Sequence, residues 1–147
     1  MNLKKFIFTT QREINKISLG YLKKRQNYLK KNKKKFDVVT ILDLKIEKFL
    51  KNKIVEKFPT HNVYGEELKN IDNKSDYTWF IDPVDGTKNL ILGLPTWSNM
   101  LGLVKNDQAI ISLINYPVLN KFFFSCGGKS YICENNKIKS LICYFFP

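Results

Sequence analysis

The residues best placed to do chemistry are Asp82 and Asp85, in the run Trp79-Phe80-Ile81-Asp82-Pro83-Val84-Asp85-Gly86-Thr87-Lys88-Asn89. An apolar stretch meets two carboxylates three residues apart and then Gly-Thr. Carboxylate oxygens are the hard ligands that Mg²⁺ prefers. Pro83 has a fixed φ and limits how the two carboxylates can splay. Gly86 has no side chain, so an anion can approach the backbone closely. A helix starting near Thr87 would turn its free N–H groups and dipole towards that anion. A divalent metal and a phosphate held side by side are therefore expected. The plain alternative is an Asx-Pro turn closing a strand.

Two further blocks lie upstream. Val63-Tyr64-Gly65-Glu66-Glu67 ends a short apolar run with two carboxylates, and Asp37-Val38-Val39-Thr40-Ile41-Leu42-Asp43 heads a helical pattern. In this order and spacing the three blocks resemble the inositol monophosphatase family of Mg²⁺-dependent phosphatases. The Asp-Pro-Val-Asp-Gly-Thr block is that family's core signature. The resemblance covers residues 1–140 and implies a domain that is the N-terminal half of a layered, sugar-phosphatase-like αβαβα fold. That half is α+β: two helices, then a mostly antiparallel sheet.

The resemblance also implies roles. Glu66, Asp82, the backbone carbonyl of Val84 and Asp85 would ligate metal. Gly86 and Thr87 would hold the phosphate through backbone amides. Asp43 and Thr87 would orient and activate the attacking water, making Asp43, Glu66 and Thr87 the catalytic set. Glu67 would be an outer ligand, or would support the ligands from behind. Two Mg²⁺ ions about 3.5–4 Å apart can clamp a phosphate and lower the pKa of a bound water. The residues themselves leave other readings open. Asp43 could cap the second helix, Thr87 could be only an N-cap, and Glu66 and Glu67 could form a solvated turn.

Thr87-Lys88 and Gly93-Leu94-Pro95-Thr96-Trp97 resemble the histidinol-phosphatase branch, so histidinol phosphate is favoured as substrate over inositol-1-phosphate. Fructose-1,6-bisphosphate and 3′-phosphoadenosine 5′-phosphate rank behind both. Leu90 stands where the family usually has phenylalanine. The family's second half supplies another metal-binding aspartate and most residues that grip the alcohol, and this chain has none of it. The chain alone is therefore expected to be a poor catalyst and a marginal fold, and a full-length form is expected to dimerise. Residues 141–147 are an apolar tail, read either as a terminal strand or as a shifted reading frame. The competing function is a non-catalytic metal-binding fragment.

Positioning these residues requires particular elements. Leu3, Phe6, Ile7, Ile14, Ile17 and Tyr21 recur at helical spacing. A lysine-rich linker runs to Lys35. A second helix is expected from Leu42 to Phe58, stopped by Pro59-Thr60-His61-Asn62. Val63 and Tyr64 form a short strand, Asn70 to Asp76 a loop, Thr78 to Ile81 a strand, and Thr87 to Leu92 a short helix. Strands follow over 97–104, 109–116, 121–126 and 130–133, with turns at Lys105-Asn106-Asp107 and Glu134-Asn135-Asn136. Two helices before a strand meander suit an α+β layered domain. His61, the only histidine, reads as a surface residue in a polar turn.

Composition bounds the function. With 147 residues, 44% hydrophobic and 14% aromatic, the chain can bury a core as one folded domain. No apolar run is long enough to span a bilayer, and the apolar stretch Phe6 to Thr10 is too short for a signal-peptide core. A cytoplasmic protein without membrane partners is expected. Cys126, Cys133 and Cys143 are odd in number and lack CxxC spacing, so buried free thiols fit better than zinc or disulfides. The net charge of +12 raises a nucleic-acid reading. The densest patch, Lys30-Lys31-Asn32-Lys33-Lys34-Lys35, lacks the interleaved aromatics, glycines and arginines of nucleic-acid modules. A solvated loop is expected there, with a weak field drawing anionic substrates. The partner is a small phosphorylated molecule, not a specific nucleic acid.

Overall fold

The computed structural model describes residues 2–23, 28–32 and 37–141, and for 28–32, 37 and 38 the backbone alone. In chain order the elements are α1 Leu3–Leu22, β1 Tyr28–Asn32, β2 Asp37–Thr40, α2 Ile41–Lys57, β3 Asn62–Gly65, β4 Tyr77–Asp85, α3 Thr87–Ile91, β5 Ser98–Lys105, β6 Gln108–Tyr116, β7 Lys121–Cys126, β8 Lys129–Glu134 and β9 Lys137–Leu141. Helix α1 begins at an Asn2 cap whose side-chain oxygen accepts from the backbone N–H groups of Lys4 and Lys5. Helix α2 begins with a reciprocal capping box between Thr40 and Asp43.

The strands β3 to β9 form one sheet in sequential order. Only β3 and β4 pair in parallel; the rest is an antiparallel meander. The two-residue turns Asn106-Asp107, Gly127-Gly128 and Asn135-Asn136 all have positive φ, the twist that tight hairpins need. Helices α1 and α2 pack on each other, with α2 against β3 and β4 and α1 against β6. The core lies between them: Ile7, Ile14, Leu42, Ile46, Leu50 and Ile54 meet Trp79, Leu101, Leu103, Ile111 and Leu113. Period-2 alternation puts Phe80, Met100, Gly102, Ser112 and Ile114 on the opposite face. No described element covers that face, and Phe80 is 47% exposed there. No helix among the described residues is long and apolar enough to cross a membrane.

Two expectations need correction, and one open reading gains a partial answer. The lysine-rich stretch is not all linker: Tyr28–Asn32 pairs antiparallel with Asp37–Thr40. A ladder uses backbone N–H and C=O, which lysine supplies like any other residue. Strand β4 does not stop before the Asp-Pro pair but continues to Asp85, its register with β5 shifting between Asp82 and Asp85. Pro83 has no N–H for a ladder, and such a bulge is where a strand tolerates it. The apolar tail begins as a strand, since β9 pairs with β8 through Leu141; residues 142–147, Cys143 among them, lie outside the described residues. Of the other thiols, Cys133 is buried and Cys126 half-buried.

His61 is also not a bare surface residue. Its ring is stacked between Phe58, centroids 5.0 Å apart, and Tyr77 at 4.7 Å. Its Nδ1 accepts the Trp79 Nε1–H at 3.1 Å. Burial pushes its pKa below the ordinary 6.5, so the folded state holds it neutral. Below about pH 6.5 the unfolded chain binds the proton first, and stability falls as pH drops through the depressed folded value. Thermal melts from pH 7.5 to 5 should show wild type losing stability relative to His61→Phe; parallel curves would contradict this role.

Candidate metal and phosphate site

Helix α2 holds two of the site's supports one turn apart. Asp43, 2% exposed, sits at the third helical position. Its Oδ2 accepts from the Thr40 backbone N–H at 2.9 Å and from the Thr40 hydroxyl. Its Oδ1 lies 3.3 Å from Thr87 Oγ1. Asp43 thus caps the helix with one oxygen and faces Thr87 with the other. Burial, the largest influence, raises the Asp43 pKa, while the Thr40 and Thr87 bonds oppose it. Thr87 Oγ1 also lies 3.0 Å from the Val84 carbonyl oxygen, so one hydroxyl proton is shared between two acceptors. Thr87 is not an N-cap. Gly86 fills that position at φ 83° with no side-chain cap bond, and Thr87 opens α3.

One turn further along, Glu47 is fully buried and pairs with Lys51 at 2.8 Å. Glu47 Oε2 accepts the Glu67 N–H at 2.7 Å and Oε1 the Leu68 N–H at 2.9 Å. Lys51 Nζ donates to the carbonyls of Leu68 and Lys69. This buried pair clamps the Gly65-Glu66-Glu67 loop to the helix. Gly65 is required where it stands, because a Cβ there would lie 2.0 Å from Glu47 Oε1. Neither Glu47 nor Lys51 was singled out from the sequence, though their i, i+4 spacing was the available signal.

The clamp brings Glu66 beside the end of β4. Asp82 is the centre: burial first, then the charges of Glu66, Asp85 and Asp43, push its pKa up from 3.8 to about 6. Its Oδ1 is buried without a hydrogen-bond partner. Asp85 and Glu66 are exposed, and Asp85 Oδ2 lies 3.4 Å from Ser98 Oγ. The structure brings Asp43, Glu66, Asp82, Val84, Asp85, Gly86 and Thr87 to one corner, at the junction of α2, β3, β4 and α3. Glu67 is held there through its backbone N–H.

Among the described residues no three acidic, histidine or cysteine side chains form a ready-made metal cage. Mg²⁺ needs none: it keeps several waters and takes one or two carboxylates plus substrate oxygens. A buried carboxylate oxygen with no donor, beside three more negative groups, is chemistry that a hard cation relieves. The residues present fit such an ion. Beneath them, Asn99 Nδ2 donates to the Pro83 carbonyl at 2.7 Å, a contact with no counterpart in the sequence reading.

Comparison with known proteins shows the family and the fold. The model of the inositol monophosphatase family matches residues 2–141. The fructose-1,6-bisphosphatase/inositol-1-monophosphatase of Aquifex aeolicus is 34% identical over 144 residues, 94% of this chain and 53% of that protein. Inositol monophosphatase 1 of Mus musculus is 34% identical over 107 residues, 70% of this chain and 39% of that protein. The solved IMPase of Thermotoga maritima superposes with TM-score 0.79 at 29% identity, over 93% of this chain and 52% of its own. An IMPase/NADP phosphatase solved with Mg²⁺ and phosphate has the same TM-score at 22% identity, a likeness of fold alone. The chain therefore spans about half the length of the proteins it matches.

Two outcomes follow from the site's construction. Glu47→Ala should cost about 3–5 kcal/mol, because it strands a buried lysine, and denaturant unfolding measures it. A raised carboxyl pKa means the folded state holds Asp82's proton longer. That contribution to stability is complete below pH 3.8 and is lost as pH rises to about 6, opposite in sign to that of His61. Without divalent cations at pH 7.5, Asp82→Asn should therefore melt higher than wild type, on the order of 1 kcal/mol after solvent screening. A variant that melts lower at that pH, with a gap unchanged at pH 4, would contradict the crowding of charge.

Proposed function

The chain belongs to the inositol monophosphatase family, and on that premise we propose that residues 1–140 are the metal- and phosphate-binding half of a Mg²⁺-dependent phosphatase of small phosphate monoesters. The observation that carries this reading is Asp82: its Oδ1 is buried and unpartnered amid the charges of Glu66, Asp85 and Asp43. Glu66, Asp82, Asp85 and the Val84 carbonyl would hold Mg²⁺, with Glu67 behind them. When bound, the ion neutralises charge on the phosphate and acidifies a water. The Val84 oxygen has two lone pairs, so it can accept from Thr87 and still face a cation.

The chain's own residues supply the rest. Asp43 Oδ1 and Thr87 Oγ1 sit as a pair able to orient a water and take its proton into the Asp43 carboxylate. The raised pKa of Asp43 makes it a better proton acceptor than an ordinary aspartate. Backbone N–H groups at Gly86 and Thr87 would hold phosphate oxygens, since the first turn of α3 leaves them without intrahelical partners. Gly86 at positive φ keeps that approach open.

Histidinol phosphate is the substrate we favour, on the Lys88 and Gly93-to-Trp97 resemblance; inositol-1-phosphate is the alternative. A groove of about 520 Å³ on the open sheet face carries Glu66 and Asp82 among Tyr64, Phe80, Met100 and Ile114. In a protein twice this length, the remaining half would cover that face and complete the grip on the alcohol. Residues 1–147 alone should then turn over phosphate esters near background, even in excess Mg²⁺. Calorimetry should still show weak Mg²⁺ binding that drops with Asp82→Asn. Equal binding by both proteins would end the metal assignment. In a full-length form, a kcat/KM ranking with inositol-1-phosphate first would reverse the substrate choice.

A further inference from the structure

Strand β5 meets β6 with Asn99 opposite Asn115, on the helix-facing side otherwise filled by Leu101, Leu103, Ile111 and Leu113. Asn99 is 1% exposed and Asn115 0%. Carboxamides in such an interior are costly unless their polar atoms are paired, and here they are. Gln11 Nε2 donates to Asn115 Oδ1 at 3.0 Å. Asn115 Nδ2 donates to Asn99 Oδ1 at 2.9 Å and to Asn15 Oδ1 at 2.8 Å. Asn99 Nδ2 then donates to the Pro83 carbonyl at 2.7 Å.

The chain of amides has one direction. The Pro83 carbonyl can only accept, so Asn99 must present its NH₂ there and its oxygen to Asn115. Asn115 must then turn its NH₂ to Asn99 and its oxygen to Gln11. Gln11 and Asn15 lie on α1, so the register of that helix on the sheet is tied to the bend in β4. The Pro83 carbonyl belongs to the peptide whose N–H is that of Val84. In a planar trans peptide the C=O and N–H point oppositely. Gripping the oxygen from the core therefore aims the N–H away from it, and the Val84 N–H works to lower the Asp82 pKa against the burial and neighbouring charges that raise it.

We propose that Asn99 is a positioning residue for the metal-binding turn: anchored through Asn115 to helix α1, it orients the Pro83–Val84 peptide so that the Val84 N–H holds one side of the Asp82 carboxylate and leaves Oδ1 free for a cation. This rests on the metal-site reading above and extends it to residues that touch neither metal nor substrate. Leucine at position 99 would keep asparagine's branched outline, with the same number of side-chain heavy atoms, and continue the apolar stripe of Leu101 and Leu103. The amide's contribution is thus the orientation of the turn rather than the filling of space.

The test is Mg²⁺ calorimetry on the full chain as wild type, Asn99→Leu, Asn115→Leu and the control Leu103→Ala, each with a thermal melt. Asn99→Leu should weaken Mg²⁺ binding about tenfold, the usual effect of removing a support behind a ligand, and Asn115→Leu should weaken it in the same direction. Leu103→Ala, a cavity in the same strand, should melt earlier and keep wild-type affinity. Wild-type affinity in Asn99→Leu overturns the proposal alone; no Mg²⁺ binding by wild type overturns the metal-site reading and this proposal with it. Should Asn99→Leu fail to fold, NMR on wild type decides. The Asn99 side-chain NH₂ signals should move with the Val84 amide on one Mg²⁺ isotherm, and an Asn99 signal that stays fixed while Val84 moves overturns it.

Discussion

The constraint on which this structure depends is electrostatic. Asp82 sits half-buried in the field of Glu66, Asp85 and Asp43, with one oxygen that nothing in the protein satisfies. Left free, such groups would separate into water, where repulsion between charges a few ångströms apart falls to roughly 1 kcal/mol. The surrounding contacts work against that separation. The Thr40 cap holds Asp43, the Glu47–Lys51 pair holds the Glu66 loop, and Asn99 holds the bend between Asp82 and Asp85. Stability is thereby given up locally for a site that a cation can complete, a common trade at functional positions.

These supports share an origin. Asp43 and Glu47 are one turn apart on α2, so a single rigid helix presents both the Thr87 partner and the loop clamp. The sheet supplies the other side. The bulge at Pro83 shifts the register of β4 before Asp85 pairs with Ser98 of β5, and the parallel β3 delivers Gly65 and Glu66 next to it. Core packing of Trp79 and Ile81 fixes one face of β4, so Phe80 and Asp82 necessarily project to the other. The same alternation that builds the core thus puts a carboxylate with an unpartnered buried oxygen on the uncovered face, beside an apolar groove.

Much of this was legible in the sequence, and the gaps have physical causes. The helices and the meander follow from hydrophobic period, and the hairpin turns from Asn, Asp and Gly pairs. The Asp-Pro-Val-Asp-Gly-Thr run marks its own corner because its carboxylates, proline and glycine lie within six consecutive positions. The lysine run hid a strand, since backbone pairing leaves no signature in a charged stretch. His61 looked like a turn residue because two of its partners, Tyr77 and Trp79, come from strand β4, sixteen and eighteen positions away. The loop clamp of Glu47 and the role of Asn99 stayed hidden for the same reason: what makes them matter is a partner twenty or sixteen positions away.

The sequence by itself determined the family and the α+β order of elements, and it named the carboxylates and the Gly-Thr pair that gather at one corner, because each is written in short-range spacing and residue chemistry. Only the tertiary structure decided how those groups are held. It showed that Asp43 caps a helix with one oxygen and faces Thr87 with the other, that Glu47 clamps the Glu66 loop, that Asp82 retains an unsatisfied buried oxygen, and that a line of amides ties α1 to Pro83. Each of these depends on distance and burial between segments far apart in the chain. Charge interaction and hydrogen bonding act through space, and sequence order does not encode that space until the sheet and helices have packed.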